Sequence, residues 1–350
     1  MNNLESLGWK TDSTINEESV ARVLTVQKGI YRISDGELEY LATLSGKFIN
    51  NAQSSLDFPA VGDWVEVQKL VDEKKAIING ILPRKSQFTR QAAGNKTEAQ
   101  IVAANIDIVF IVNSLNHDLN LRRIERYVLL AYESGATPVV VLTKKDEAST
   151  EVIEEAIASV HEVAIGIPVV AISSITREGI DELLTYLPAF KTGALLGSSG
   201  VGKSTLINAL FEREVQETKS IREDDSKGRH TTTHREMFLL PTGAMLIDTP
   251  GMRELQLWEG ESAMEATFQD IEQLEDGCRF SDCKHSTEPG CRVQEALAEG
   301  ELSEERFQSY RKLQRELAFE RRKQDMKAKL EEKSKWKKIS KHQKKHYKYK

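Results

Sequence analysis

Gly193-Ala-Leu-Leu-Gly197-Ser-Ser-Gly200-Val-Gly202-Lys203-Ser204-Thr205-Leu-Ile-Asn-Ala-Leu210 decides the fold. An apolar run enters a glycine-rich turn, after which Leu206, Ile207 and Leu210 return at helical spacing. Strand, turn and helix in that order are the context a phosphate-binding loop requires, and Gly197-x4-Gly202-Lys203-Ser204 fits its template. Glycines let the amides of Gly197, Ser198, Ser199, Gly200, Val201, Gly202, Lys203, Ser204 and Thr205 turn toward phosphate oxygens, and the following helix adds its positive end. The Lys203 ammonium would reach the β- and γ-phosphates and the Ser204 hydroxyl would ligate Mg²⁺.

Two later stretches complete a phosphate site. Asp248-Thr249-Pro250-Gly251 follows an apolar run, so Asp248 can hold Mg²⁺ from a strand end and the Gly251 amide can meet a γ-phosphate. Between loop and acid lies Gly228-Arg229-His230-Thr231-Thr232-Thr233, after the polar stretch 217–227. A threonine here can close the Mg²⁺ shell when γ-phosphate is present. Any of the three could serve, and Thr232 is favoured. Many nucleotide hydrolases carry Gln just after the Asp-x-x-Gly motif to orient the attacking water, whereas this chain has Met252. His230 is the candidate to hold the water instead; the alternative is a loop histidine facing solvent or RNA.

The base readers stand earlier in the chain. Thr143-Lys144-Lys145-Asp146 closes the apolar run from Pro138. A carboxylate at Asp146 accepts from N1–H and the 2-amino group of guanine, and adenine offers neither donor. Lys144 can lay its stem along the purine. Thr143 stands where the usual motif has Asn, which leaves a loop contact in question. Ser173 and Ser174, after the run Pro168–Ile172, would bring a backbone amide near the guanine O6. Most GTPases run phosphate loop, switch, Asp-x-x-Gly, then base readers. Here the base readers come first, so the domain is circularly permuted. A parallel sheet tolerates such relocation when its termini lie close together.

Around this domain the sequence supplies three more parts. Val20 to Leu82 holds several short β-like runs split by turns at Ser34-Asp35-Gly36 and Pro59-Ala-Val-Gly62-Asp63, which suggests an oligonucleotide-binding (OB) type β-barrel. The polar stretch 1–19 is expected to be loosely held, and 84–100 to be a polar connector. Beyond Trp258 the chain turns helical, with Met264, Phe268, Ile271 and Leu274 on one face and Phe307, Tyr310, Leu313 and Leu317 on another. Between them stands Cys278-x4-Cys283-x-His285-x5-Cys291, which uses all 3 cysteines of the chain and suits one tetrahedral, structural Zn²⁺.

Composition bounds the rest. No apolar run approaches the roughly 18 residues that span a bilayer, and no export signal is visible, so a cytoplasmic protein with reduced thiols is expected. Of 48 Lys and Arg and 54 Asp and Glu, residues 321–350 hold 14 and 3, leaving 34 and 51 for an acidic body. A basic tail carrying Trp336, Tyr347 and Tyr349 fits a polyanionic partner such as RNA.

The expected architecture is multidomain α/β. An extension at 1–19 precedes the barrel at 20–83. A circularly permuted P-loop GTPase with a mostly parallel sheet occupies 84–258, a helical zinc-binding domain 259–320 and the basic tail 321–350. The stretches Asp57-Phe-Pro-Ala-Val-Gly-Asp-Trp64, Leu121-Arg-Arg-Ile-Glu-Arg126, Gly197–Ser204, Gly228–Thr233 and Asp248–Gly251 resemble the ribosome small-subunit-dependent GTPase A family of bacteria, a likeness covering roughly residues 20–320. The resemblance implies GTP hydrolysis stimulated by the small (30S) ribosomal subunit in late maturation of that particle, with 16S rRNA as partner and the same four zinc ligands. It also implies GTP with Mg²⁺ as ligand and GDP as product. Nothing resembles a dimer seam, so a monomer is expected. A competing reading is an RNA-binding assembly factor in which GTP is a fixed ligand. An unrelated ATP-dependent enzyme is disfavoured by Asp146.

Overall fold

The computed structural model describes residues 3–11, 14–27, 29–91, 99–116, 119–211, 235–248 and 261–322. The chain divides into two compact units, Met1–Gln256 and Leu257–Lys350.

The first unit begins with a five-stranded barrel. Its strands are β1 (Val20–Gln27), β2 (Ile30–Ser34), β3 (Glu39–Leu44), β4 (Trp64–Leu70) and β5 (Lys75–Ile81). β1 pairs with both β2 and β4, and β3 runs parallel to β5, so the order β1-β2-β3-β5-β4 closes on itself. Alternate residues point inward, as strand geometry dictates. Ala21, Val23, Tyr31, Ile33, Tyr40, Ala42, Val65, Val67, Ala76 and Ile78 form the barrel core. β1 and β2 form a hairpin, and Gly29 between them adopts a positive φ of 83°.

Two expectations are corrected. Residues 84–100 are more than a connector: β6 (Gln87–Gln91) and β7 (Ala99–Ala104) pair as an antiparallel hairpin, with Phe88, Ile101, Val102 and Ala103 buried. The strands are short, and the small and polar residues 92–98 between them mask the alternation. The N-terminal stretch is anchored: Leu4 and Leu7 are buried, and the Trp9 ring meets Trp64 edge-on at 4.9 Å. Isolated apolar residues in a polar segment carry no period, so their burial is not legible in sequence.

The α/β part follows with β8 (Ile108–Ser114), α2 (Leu121–Ser134), β9 (Thr137–Thr143), α3 (Thr150–Val163), β10 (Val169–Ala171), α4 (Ile180–Thr185), β11 (Thr192–Gly197), α5 (Lys203–Phe211), β12 (Glu236–Leu239) and β13 (Met245–Asp248); α1 (Gly46–Asn51) belongs to the barrel region. Strand order is β10-β9-β8-β11-β13-β12, parallel except for β12. Strands buried on both faces read as apolar runs, which is why Pro138–Thr143 was recognisable. The core beneath α4 and α5 gathers Phe110, Val112, Val141, Ile172, Leu195, Leu206, Leu246 and their neighbours.

Barrel and sheet are joined by the Pro59–Asp63 turn and by Arg22. Gly62 has φ 91°, and a Cβ there would lie 2.1 Å from the Ala104 carbonyl oxygen, so only glycine fits. Asp63, fully buried, accepts from both Nε and Nη2 of Arg84 at 2.8 Å. Arg22, on β1, is also buried; it donates to the carbonyls of Leu7, Gly62 and Asn105 and to Thr192 Oγ1 of β11 at 2.8 Å. Burial lowers its pKa to about 10, so it remains a cation at neutral pH.

The second unit holds α6 (Glu261–Thr267), α7 (Gln269–Asp276), α8 (Arg292–Glu299) and α9 (residues 304–322). The face expected from Met264 to Leu274 is broken at Phe268, whose backbone leaves helical geometry at φ −120°, ψ 36°. Phe268 is fully buried against Tyr310 of α9, at 5.3 Å between ring centroids. Arg306 of α9 donates Nε and Nη2 to the Asp270 carboxylate at 2.6 and 2.7 Å. Among the described residues, no helix is long and apolar enough to cross a membrane.

Candidate active site

The carboxyl ends of β8, β9, β10, β11 and β13 lie along one edge of the parallel sheet, and the sequence-selected residues gather there. At the end of β11 the chain turns at Gly197. A Cβ at this position would be 2.4 Å from the Val112 carbonyl, so the close approach of β8 dictates glycine. Gly200 and Gly202 follow with φ of 82° and 90°, the left-handed region that glycine adopts without penalty. The loop curls back over α5, and the Lys203 ammonium donates to the Gly197 carbonyl at 2.8 Å and to that of Ser198. These bonds hold the cation inside the loop. Ser204 and Thr205 occupy the next positions of α5, and Asp248 ends β13, the strand beside β11. The donor set of Ser204 hydroxyl and Asp248 carboxylate is all oxygen, as Mg²⁺ requires.

Thr143 ends β9, and its hydroxyl lies 2.7 Å from the Val201 carbonyl and 3.2 Å from that of Asn113. The hydroxyl thus ties β9 to the phosphate loop. Thr143, standing where the usual motif has Asn, thus has its own contact to the loop. Lys144 adopts a left-handed backbone, φ 64°, and starts the short turn Lys145–Glu147 that presents an exposed Asp146. Lys145 is turned away: its amide donates to the Ile172 carbonyl at 3.0 Å and its ammonium pairs with Glu178 at 2.5 Å. It braces the loop after β9 against the loop after β10.

In that second loop the fully buried Ser173 accepts the amides of Ile175 and Thr176 on its hydroxyl, at 3.3 and 3.0 Å. Its own amide goes to the Glu178 carbonyl. The Ser174 hydroxyl is buried and has no hydrogen-bond partner among the described residues. Arg177 reaches from the same loop to the Ala209 carbonyl of α5 at 2.6 Å. Lys145, Glu178 and Arg177 form a frame that sequence spacing alone does not reveal, because their partners are far away along the chain. His230, Thr231, Thr232 and Thr233, and likewise Thr249, Pro250, Gly251 and Met252, lie outside the described residues, as does the basic tail.

In the second unit, Cys278, Cys283, His285 and Cys291 come together, each ligand atom within 4.8 Å of the others. Cys278 Sγ and Cys291 Sγ are 3.9 Å apart, and His285 Nδ1 lies 3.6 and 3.5 Å from them. Tetrahedral Zn²⁺, with Zn–S about 2.3 Å and Zn–N about 2.0–2.1 Å, separates its ligands by about 3.6–3.8 Å, so the set fits that ion. Burial pushes the Cys291 thiol up to about 11, and a metal that binds its thiolate displaces the proton. His285 has a left-handed backbone, φ 54°, in a turn tied to one carboxylate. Glu288 accepts the amides of Ser286, Thr287 and Lys284 at 2.8, 3.0 and 3.1 Å, which holds it ionised down to about pH 2.

The family model described as RsgA GTPase matches residues 81–258. The chain belongs to the RsgA GTPase family. Small ribosomal subunit biogenesis GTPase RsgA 1 of Oceanobacillus iheyensis is 49% identical over 327 residues, covering 93% of each chain. The crystal structure of YjeQ from Thermotoga maritima superposes with a TM-score of 0.64 at 28% identity, covering 86% of this chain and 98% of that one. The structure of YloQ, described as a circularly permuted GTPase, has the same fold, with a TM-score of 0.61 at 23% identity over 85% of this chain and 94% of that one. The circular permutation expected from the sequence thus has a counterpart in a fold neighbour described in those terms.

Proposed function

We propose that the protein hydrolyses GTP to GDP and phosphate in response to the small ribosomal subunit, and that its nucleotide state governs binding to that particle during late maturation. The observation that carries this reading is the convergence of Thr143–Asp146, Ser173–Ser174, Gly197–Ser204 and Asp248 on one sheet edge, in an order that places the base readers first. Membership in the RsgA GTPase family, and a relative of nearly half identity named for small-subunit biogenesis, support the choice of partner.

In this reading Asp146 accepts from the guanine N1–H and 2-amino group while the Lys144 stem lies along the ring. The phosphate-loop amides and Lys203 hold the β- and γ-phosphates. Ser204, Asp248 and a switch threonine, Thr232, hold Mg²⁺, which when bound neutralises developing charge on the phosphate oxygens. His230 orients the attacking water in place of the glutamine that Met252 replaces. Cys278, Cys283, His285 and Cys291 hold one structural Zn²⁺, which folds the loop bearing them. The barrel, the zinc-bearing unit and the basic tail supply contacts to 16S rRNA, largely to phosphate and hence weakened by salt. The protein acts as a cytoplasmic monomer.

Co-sedimentation with purified small subunits tests the reading. Retention with a non-hydrolysable GTP analogue and release with GDP is the expected outcome. Equal retention in both states would favour an RNA-binding factor that only carries the nucleotide.

A further inference from the structure

The cluster histidine is held from behind. His285 Nδ1 faces Cys278 and Cys291, and the opposite ring nitrogen, Nε2, lies 2.9 Å from Glu275 Oε1 on α7. The other carboxylate oxygen, Oε2, accepts from the Tyr310 hydroxyl of α9 at 3.2 Å. That hydroxyl in turn accepts from Gln314 Nε2, one turn further along α9, at 2.7 Å. Tyr310 is buried, and burial together with the Glu275 charge raises its pKa, so it stays a hydroxyl donor. The Phe307 ring stands edge-on to the imidazole at 6.4 Å and closes a third side.

A metal-facing imidazole nitrogen must be unprotonated, so the neutral ring carries its proton on the other nitrogen. A carboxylate at hydrogen-bond distance from that nitrogen selects this tautomer, fixes the ring plane and increases the donor strength of the metal-facing atom. We propose that Glu275 is the positioning residue of the metal cluster: it holds His285 with Nδ1 toward the cysteines, and Tyr310 with Gln314 holds Glu275. Metal affinity is thereby linked to the docking of α9, the helix that leads toward the basic tail. The two are reciprocal: what weakens the α9 contact weakens the metal, and metal loss loosens α9.

The proposal rests on the zinc reading, and the experiment separates their failures. Zinc affinity of the full-length protein is measured by competition with a chromogenic chelator, alongside the visible spectrum of the cobalt-substituted form. E275Q keeps the shape and loses the charge; it is expected to weaken zinc by about 10–100-fold and to shift the cobalt bands. Melting of its metal-free form should match that of the parent. Y310F removes only the second bond and should weaken zinc several-fold, a readout that stands even where E275Q folds poorly. E295Q, on the exposed side of α8, should change nothing. Parental zinc affinity in both E275Q and Y310F, or an equal loss in E295Q, overturns the proposal. Absence of zinc binding by the parent protein overturns the zinc reading itself.

Discussion

The loops at the carboxyl edge of the parallel sheet hang from strands whose interiors are almost wholly buried, while the cluster ligands sit in residues 277–291, an irregular stretch in which Cys291 alone is buried. The first arrangement is held by register. Gly197 is fixed by the approach of β8, Lys203 by two loop carbonyls, and Thr143 by the bond to Val201. The second has little apolar core of its own and relies on Glu288, Glu275 and the ligands themselves. The difference suits the two proposed occupants. A nucleotide that is exchanged at every turnover needs a cradle that stands without it, whereas an ion that stays can be part of the fold.

Metal removal should divide the two regions most sharply. Structural zinc sites contribute on the order of 10 kcal/mol to folding. Cys283→Ser, or chelation, is expected to abolish the cooperative melting of the zinc-bearing unit in calorimetry, while GTP affinity by fluorescence titration stays near that of the parent. Loss of GTP binding together with the metal would break the contrast.

Next in size is Asp146→Asn. Two hydrogen bonds to a charged carboxylate contribute about 1.5–3 kcal/mol each, so guanine nucleotide affinity should fall by about 10²–10⁴-fold. Xanthine nucleotides present a carbonyl in place of the 2-amino group, and they should bind the variant better than the parent. Unchanged GTP affinity would remove Asp146 from the base site.

His230→Ala sharpens the account of chemistry. Subunit-stimulated turnover should drop by about 10²-fold with GTP affinity preserved. Unchanged turnover would leave the water to another group. The smallest effect is expected from Thr143→Val, which keeps shape and removes one hydroxyl. Losing a bond of about 1 kcal/mol should weaken nucleotide binding roughly fivefold. No change would mean that the loop holds its form without β9.

The two regions also differ in how much of them the sequence discloses. The phosphate loop and the candidate base readers stood out because their chemistry demands fixed residue types at fixed spacing on buried apolar strands. The Cys/His cluster was legible because few residue types suit a soft metal ion, and the structure brings all four side chains together. What supports either site was hidden. Glu178 and Arg177, neighbours in the loop after β10, find their partners on two other segments, Lys145 after β9 and Ala209 on α5, and Glu275 meets His285 ten positions along the chain. Such partners follow from packing, which has no period in sequence. The β6–β7 hairpin and the burial of Leu4 and Leu7 escaped for the same reason, and the break at Phe268 follows from the demand of its ring for the space beside Tyr310.

The central claim is a GTPase switched by the small ribosomal subunit. It is tested most directly by measuring phosphate release from GTP and from ATP, with the purified protein alone and with small subunits added. The account predicts slow GTP turnover alone, strong stimulation by subunits and no appreciable ATP turnover under either condition. Tight GTP binding with turnover that subunits leave unchanged would contradict it.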